Sequence, residues 1–99
     1  MAKMKVLWTE NAINDLNKII NYWNNHNQSH RYSKKLLQQI RLATEKLSMF
    51  PGLGIQSTHP AVRVLYSGNY EIFYKLNNNI IYILMIWDSR RDPISKPTF

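Results

Sequence analysis

Apolar residues recur at three- and four-residue intervals through the first half of the chain and gather into short runs in the second half. The spacing of Ala12, Ile13, Leu16, Ile19, Ile20 and Trp23 predicts one apolar face of a helix, with Asn14, Asn17, Lys18, Asn21 and Asn24 on a solvated opposite face. Lys5 to Trp8 reads as a short strand before it. Thr9 then offers an N-cap hydroxyl, and Glu10 and Asp15 lie near the positive end of the helix dipole. The polar stretch Asn24 to Ser29 predicts a turn. A second helix follows from about Ser29 to Met49, with Leu36, Ile40, Ala43, Leu47 and Phe50 as its stripe and Leu37 widening it. Two helices joined so closely predict an antiparallel hairpin.

Phe50-Pro51-Gly52-Leu53-Gly54 ends the second helix, because proline cannot continue it and glycine permits positive φ. Ile55 to Pro60 reads as an irregular loop. The stretch from Ala61 to Pro93 organises the remainder, as three strands: Ala61 to Tyr66, Tyr70 to Leu76 and Ile80 to Trp87. Ser67-Gly68-Asn69 and Asn77-Asn78-Asn79 supply the turns. The prediction is a single α+β domain over residues 1–99, with an N-terminal strand, an antiparallel helical hairpin and a three-stranded antiparallel meander. The last strand, IIYILMIW, shows no polar alternation, so both of its faces require cover. The helices serve one face. For the other, either a partner segment covers part of it, or the N-terminal strand, loop and tail do so unaided.

Composition narrows the setting. With 99 residues, 44% of them apolar, the chain supports one small core of modest stability. It has no cysteine, which removes disulfides and thiolate metal sites and suits an intracellular protein. The N-terminal residues lack the apolar region of a secretion signal, and the eight-residue run Ile80 to Trp87 is far short of the ~20 residues a membrane-spanning helix needs. A soluble, cytoplasmic protein with no membrane partner is therefore expected. The net charge of +7 favours a polyanion or an acidic protein as partner without separating the two.

Candidate chemistry is sparse. His26 and His30 have the spacing of two helical zinc ligands, but the glutamate of a zincin motif is missing and a turn falls between them, so surface histidines and no metal are expected. His59 stands in a loop as a weak candidate general base. No phosphate-binding or dinucleotide motif occurs, and no cofactor is expected. What remains is Arg63, Lys75, Arg90 and Arg91 beside Tyr66, Tyr70, Tyr74 and Tyr82. Arginine neutralises phosphate bidentately and tyrosine stacks on bases, a set suited to an RNA-facing surface or to metal-independent RNA cleavage. The plain alternative is that the tyrosines pack the sheet and that Asp88 and Asp92 pair with the neighbouring arginines.

The start VLWTENAINDL, the helix end LSMFPGLG, the segment VRVLYSGNYEIFYKL and the close IIYILMIWDSRRDP occur in that order within 99 residues. Together they resemble the RelE/ParE family of toxins from bacterial type II toxin–antitoxin modules, over nearly the whole chain. The resemblance implies a helical hairpin against a mainly antiparallel sheet, and a short, acidic cognate antitoxin encoded beside the toxin. It implies one of two targets, DNA gyrase for ParE-like members or mRNA on the ribosome for RelE-like endoribonucleases, and it allows a monomer or a homodimer. A third alternative is a non-toxic, antitoxin-binding or autoregulatory subunit. RelE-like members carry an arginine just before the small-residue turn, a late basic residue and often a Tyr or His in the tail. Here Tyr66 precedes Ser67-Gly68, Arg90 matches the late basic position, and no Tyr or His follows Tyr82. The pattern leans to the ParE side. Arg63, Arg90, Arg91 and Lys75 are the expected catalytic or target-binding residues, with His59, Tyr66 and Tyr74 as weaker candidates.

Overall fold

A computed structural model describes residues 3–27 and 30–98. The elements run β1 (Lys5–Trp8), α1 (Glu10–Asn27), α2 (His30–Met49), β2 (Ile55–Gln56), β3 (Arg63–Ser67), β4 (Tyr70–Asn77) and β5 (Ile80–Asp88), followed by a 3-10 turn at Pro93–Ser95. Helix α1 persists through most of the stretch expected to turn, and Gln28 and Ser29 lie outside the described residues. The sheet has the order β1-β5-β4-β3-β2. It is mixed: β3, β4 and β5 form the expected antiparallel meander, whereas β1 lies parallel to β5 with Lys5 opposite Ile80. Ile55 and Gln56, expected in an irregular loop, instead pair with Val64 and Arg63 as an edge strand. No helix among the described residues is long and apolar enough to cross a membrane.

Local chemistry fixes the elements. Thr9 caps α1 as its residue type predicts, Oγ1 accepting from the Ala12 amide at 3.2 Å. The same hydroxyl donates to the Ile83 carbonyl at 3.0 Å, so one side chain starts the helix and fastens it to β5. Asn78 and Asn79 take φ of 52° and 62°, the left-handed pair that a two-residue hairpin loop demands. Gly68, at φ 58°, serves the β3–β4 turn.

The helices cover one face of the sheet. Ala12, Leu36, Ile40 and Leu47 pack there against Tyr70, Ile72, Tyr74, Ile81, Ile83 and Ile86. Ile13 and Phe50, placed on the apolar stripes by spacing, are instead 46% and 56% exposed. Buried hydroxyls on α2 find helical carbonyls: Thr44 donates to Arg41 O at 2.8 Å and Ser48 to Glu45 O at 2.6 Å.

The missing alternation in β5 has a specific cause. Phe73 opposes Met85 while Tyr74 opposes Ile83, which leaves Leu84 as an extra, bulged residue. The bulge resets the side-chain period, so Ile81, Ile83 and Ile86 all reach the helix-side core while Met85 and Trp87 join Val62, Val64 and Phe73 on the other face. That second face is partly covered by the chain's own tail. Asp92 caps the 3-10 turn through the Ile94 amide, and Lys96 then crosses to Glu71 as an ion pair and lies 4.9 Å above the Phe73 ring. Glu71 is only 7% exposed, and Ser89 Oγ donates to its second oxygen at 2.9 Å, so both carboxylate oxygens are satisfied.

Candidate functional site

A cleft of about 580 Å³ opens between α1 and the far end of β5. From α1 come Asp15, Lys18, Ile19, Tyr22 and Trp23, at the i, i+3, i+4, i+7 and i+8 positions that share one helix face. Tyr70, Ile86 and Asp88 form the sheet wall, and Arg90 and Arg91 close the mouth. The end of β1 leaves room for α1 here. Strand β1 pairs with β5 only as far as Ile83, so beyond it α1 side chains take the polar groups of the strand edge. Asn11 Nδ2 donates to the Leu84 carbonyl at 2.9 Å, and the Ile86 amide donates to Asp15 Oδ2 at 3.1 Å.

Burial pushes the Asp15 carboxyl above the ordinary carboxylate range, against the opposing effects of the Ile86 amide and, at longer range, Lys18 and Arg91. A group whose folded pKa is raised loses stability as pH rises from its unfolded value of 3.8 through the folded one. Asp15→Asn keeps an oxygen for the Ile86 amide and removes the desolvated charge. It is therefore expected to match or slightly exceed the parent in urea midpoint near pH 7, with the difference vanishing below pH 3.8. A variant distinctly less stable near pH 7 would contradict this account.

Arg90 is the most constrained group of the cleft. Its Nε and Nη2 donate to the two oxygens of Asp88 at 3.0 and 2.9 Å, and its backbone amide donates to Oδ1 at 2.9 Å. The guanidinium stands 5.6 Å from the Trp23 ring and 5.9 Å from Tyr70. Hydrogen bonding to Asp88 raises the Arg90 pKa still further, so it is a permanent cation. On Asp88 burial acts upward, but the bonds from Arg90 outweigh it and hold the carboxyl below its usual value. Trp23 Nε1 donates to the Tyr70 hydroxyl at 2.9 Å, and burial raises the Tyr70 pKa. Tyr70 therefore stays neutral near pH 7 and supplies no base there. The Arg91 guanidinium stands over the Trp87 ring, 4.5 Å from its centroid. Among the described residues the only ion pairs are Arg90–Asp88 and Lys96–Glu71, so Arg91 and Lys18 carry no paired carboxylate.

Of the residues singled out by sequence, the structure gathers Arg90, Arg91 and Tyr70 here and leaves the other candidate cations and tyrosines elsewhere. Arg63 donates from Nη1 to the Gly54 carbonyl at 2.6 Å and lines a separate recess with Tyr74 and Lys75. The register sets that recess apart: Arg63 opposes Tyr74 while Asp88 opposes Tyr70, four residues along β4 or ~13 Å at ~3.3 Å per residue. Lys75 Nζ lies 5.9 Å from the Tyr82 ring. Tyr74 is 1% exposed, and its hydroxyl donates to Pro51 O at 2.7 Å and accepts from the Gly54 amide at 2.9 Å, a packing role. His59 Nδ1 accepts from the Ala61 amide at 3.1 Å within its own loop. Tyr66 is exposed on the face opposite the helices, beside Phe73 and the tail. His26 stacks on Tyr22 at 3.9 Å. Sequence reasoning passes over Tyr22, gives Lys18 only a place on the solvated face of α1, and weighs Asp88 only as a partner for the neighbouring arginines, the role it takes with Arg90. Tyr22 sits near the border of the α1 stripe, and that position is the available signal; Lys18 lies beyond it, on the face that the spacing assigns to solvent.

A model of the family described as "ParE toxin of type II toxin-antitoxin system, parDE" matches residues 6–93. Comparison with curated protein sequences found no match. Among solved structures, a chain of the chromosomal ParDE TA system from P. aeruginosa is similar, with a TM-score of 0.75 and 25% identity over 85% of this chain and 94% of that one. A chain of the RelBE2 toxin–antitoxin complex from Mycobacterium tuberculosis shares the fold at a TM-score of 0.61 and 19% identity, over 86% of this chain and 96% of that one. With 88 consecutive positions matched, on an architecture shared with both structures, the chain belongs to the ParE toxin family of type II toxin–antitoxin systems.

Proposed function

We propose that this toxin inhibits DNA gyrase, that it contacts its target through Arg90 and Arg91, and that a cognate antitoxin holds it inactive. The observation that carries the choice of target is the separation of the basic residues. Metal-independent RNA cleavage needs its cations and its proton-transfer group around one scissile phosphate. Arg63 and Lys75 line one recess, Arg90 and Arg91 another, and His59 is engaged in its loop. A protein-binding inhibitor has no such requirement. Its need is a fixed, cationic, aromatic-rich patch, and Arg90 and Arg91 with Trp23, Tyr22 and Tyr70 supply one.

The antitoxin follows from the family and from the naming of the similar structures as toxin–antitoxin systems. The test is a paired assay of purified toxin, gyrase supercoiling on one side and mRNA cleavage on translating ribosomes on the other. Loss of supercoiling with intact mRNA is the expected result. Cleaved mRNA with unaffected supercoiling would reject the gyrase target and reinstate the endoribonuclease. Folded protein inactive in both assays would leave the non-toxic, antitoxin-binding subunit.

A further inference from the structure

Helix α2 concentrates the charge of the chain. Its 20 residues hold Arg31, Lys34, Lys35, Arg41 and Lys46 against a single acid, Glu45, which leaves +4 of the chain's +7 on one helix. Lys34, Lys35, Arg41 and Lys46 are all exposed, and none takes part in an ion pair among the described residues. The four fall in two rows. At about 100° per residue, Lys34 and Arg41 stack on one flank of the helix and Lys35 and Lys46 on the other, roughly 120° round. Between the rows runs a ridge of Gln38, Leu42, Glu45 and Met49, all exposed, with Leu42 at 49% and Met49 at 47%. The ridge lies diametrically opposite Leu36, Ile40 and Leu47, which seat α2 on the sheet, so it points directly away from the body of the protein.

We propose that this face of α2 binds duplex DNA, the ridge lying in the major groove and the two rows of cations meeting the phosphate backbones on its two sides. The groove is about 12 Å wide and a helix with its side chains about 10–12 Å across, so cations on opposite flanks of one helix reach opposite backbones. On the ridge, Gln38 suits the paired groups of adenine, and Leu42 and Met49 suit thymine methyls. Glu45 there faces base edges, where a cytosine amino group donates, rather than phosphate. Most of the contact is with phosphate, so binding is salt-sensitive and only weakly selective for sequence. Other polyanions fit less well. A single strand offers one phosphate track and binds where aromatic rings stack its bases, and the ridge carries none. The major groove of duplex RNA is too deep and narrow to be read. An acidic protein segment needs an apolar hollow, whereas this face is convex, and the cleft of Arg90 and the recesses beside Tyr74 and Tyr66 are lined by other elements. The surface is separate from the cleft of Arg90 and Arg91, so loss of DNA binding and loss of gyrase inhibition are independent outcomes.

The experiment follows fluorescence anisotropy of a labelled, mixed-sequence duplex of about 30 base pairs with the full chain, from about 50 to about 200 mM salt. Duplex RNA and single-stranded DNA of the same sequence, and polyglutamate, serve as competitors. One phosphate met by each of the four cations predicts a slope of log K against log salt of about −3.6. Lys34→Ala with Arg41→Ala, and separately Lys35→Ala with Lys46→Ala, are each expected to weaken binding about tenfold or more at the lowest salt and to flatten the slope by about 1.8. Alanine is the strongest helix former and all four sites are exposed, so an unchanged circular dichroism spectrum is expected. Lys3→Ala with Lys5→Ala, an exposed pair off the helix that makes the same change in net charge, is expected to leave the slope within about 0.5 of the parent. A duplex whose cytosines carry glucosylated hydroxymethyl groups, which fill the major groove, is expected to bind about tenfold or more weakly. Equal losses from the Lys3, Lys5 pair would reduce binding to net charge and overturn the assignment to α2. Undiminished binding of the glucosylated duplex would overturn the seat in the groove. Tighter binding of RNA, single strand or polyglutamate than of duplex DNA would give the face to that occupant, and no measurable duplex binding at the lowest salt would end the inference.

Discussion

Tyr74→Ala is expected to leave the chain largely unfolded at 25 °C. Tyr74 is among the largest fully buried side chains, 1% exposed in the helix-side core. Truncating a buried aromatic costs about 3–5 kcal/mol through lost burial and the cavity left behind. The hydroxyl adds to that, because it bridges the Pro51 carbonyl and the Gly54 amide, and a buried amide left without an acceptor costs about 1–3 kcal/mol. Domains are stable by about 5–15 kcal/mol and one of this size belongs at the low end, so a combined loss of about 4–8 kcal/mol removes the margin. Tyr74→Phe isolates the hydroxyl and is expected to lower stability by about 1–3 kcal/mol in urea unfolding, with the fold intact. Gly54→Ala probes the same contact from the other side. A Cβ there would stand 2.7 Å from the Tyr74 ring and 2.8 Å from the Val64 carbonyl, and backbone cannot yield as a flexible side chain would. If Tyr74→Ala unfolded at nearly the parent midpoint, the loop from Pro51 to Gly54 would not be anchored as described.

The same residue shows where sequence is informative and where it stops. Tyr74 was marked among candidate tyrosines because its type suits RNA as well as packing, and only its depth decides between them. Elements governed by near neighbours were legible: the Thr9 cap, the two helical stripes, the Asn78–Asn79 hairpin and the β3–β4–β5 meander all depend on residues a few positions apart. Elements governed by distant partners were not. Parallel pairing of β1 with β5 joins residues 75 positions apart, Lys5 with Ile80, and nothing in KVLW announces it. The pairing of Ile55–Gln56 depends likewise on Val64 and Arg63, and a two-residue strand is too short to show a period. In β5 the lack of alternation was visible, but it has two causes. Part is burial on both faces, with the tail supplying cover, and part is the Leu84 bulge, which moves the period by one residue. The cleft was half legible for a related reason. Arg90 and Arg91 stood out as a basic pair, whereas Lys18 and Tyr22 acquire their role only from the strand edge that α1 happens to meet.

Changing both arginines, Arg90→Ala with Arg91→Ala, is expected to weaken growth arrest on induced expression, and gyrase inhibition in vitro, by about 30-fold or more. Residues that anchor an interface commonly carry 2 kcal/mol or above, and 1.4 kcal/mol is a factor of ten. Stability should change little by comparison. Arg90 is 47% exposed in its side chain and Asp88 20%, so the pair is solvated and contributes at the low end for ion pairs. The pH dependence nonetheless carries a signature. In the parent the Asp88 pKa is depressed, so its contribution to stability is present above the unfolded value of 3.8 and is lost as pH falls through the lower folded value. Without the two arginine side chains, burial is opposed only by the backbone amide of residue 90, so the Asp88 pKa moves upward from its parent position, much of that contribution is lost and acid unfolding becomes shallower in the same range. Arg90→Lys keeps the charge but cannot make the two-pronged contact with Asp88, and an intermediate potency is expected. Arg63→Ala provides the contrast. It removes the bond to the Gly54 carbonyl in the other recess, and is expected to lower thermal stability while leaving the potency of the folded fraction unchanged. Full growth arrest by the double arginine variant, or loss of potency in folded Arg63→Ala protein, would move the target-binding surface away from the cleft and toward the recess beside Tyr74.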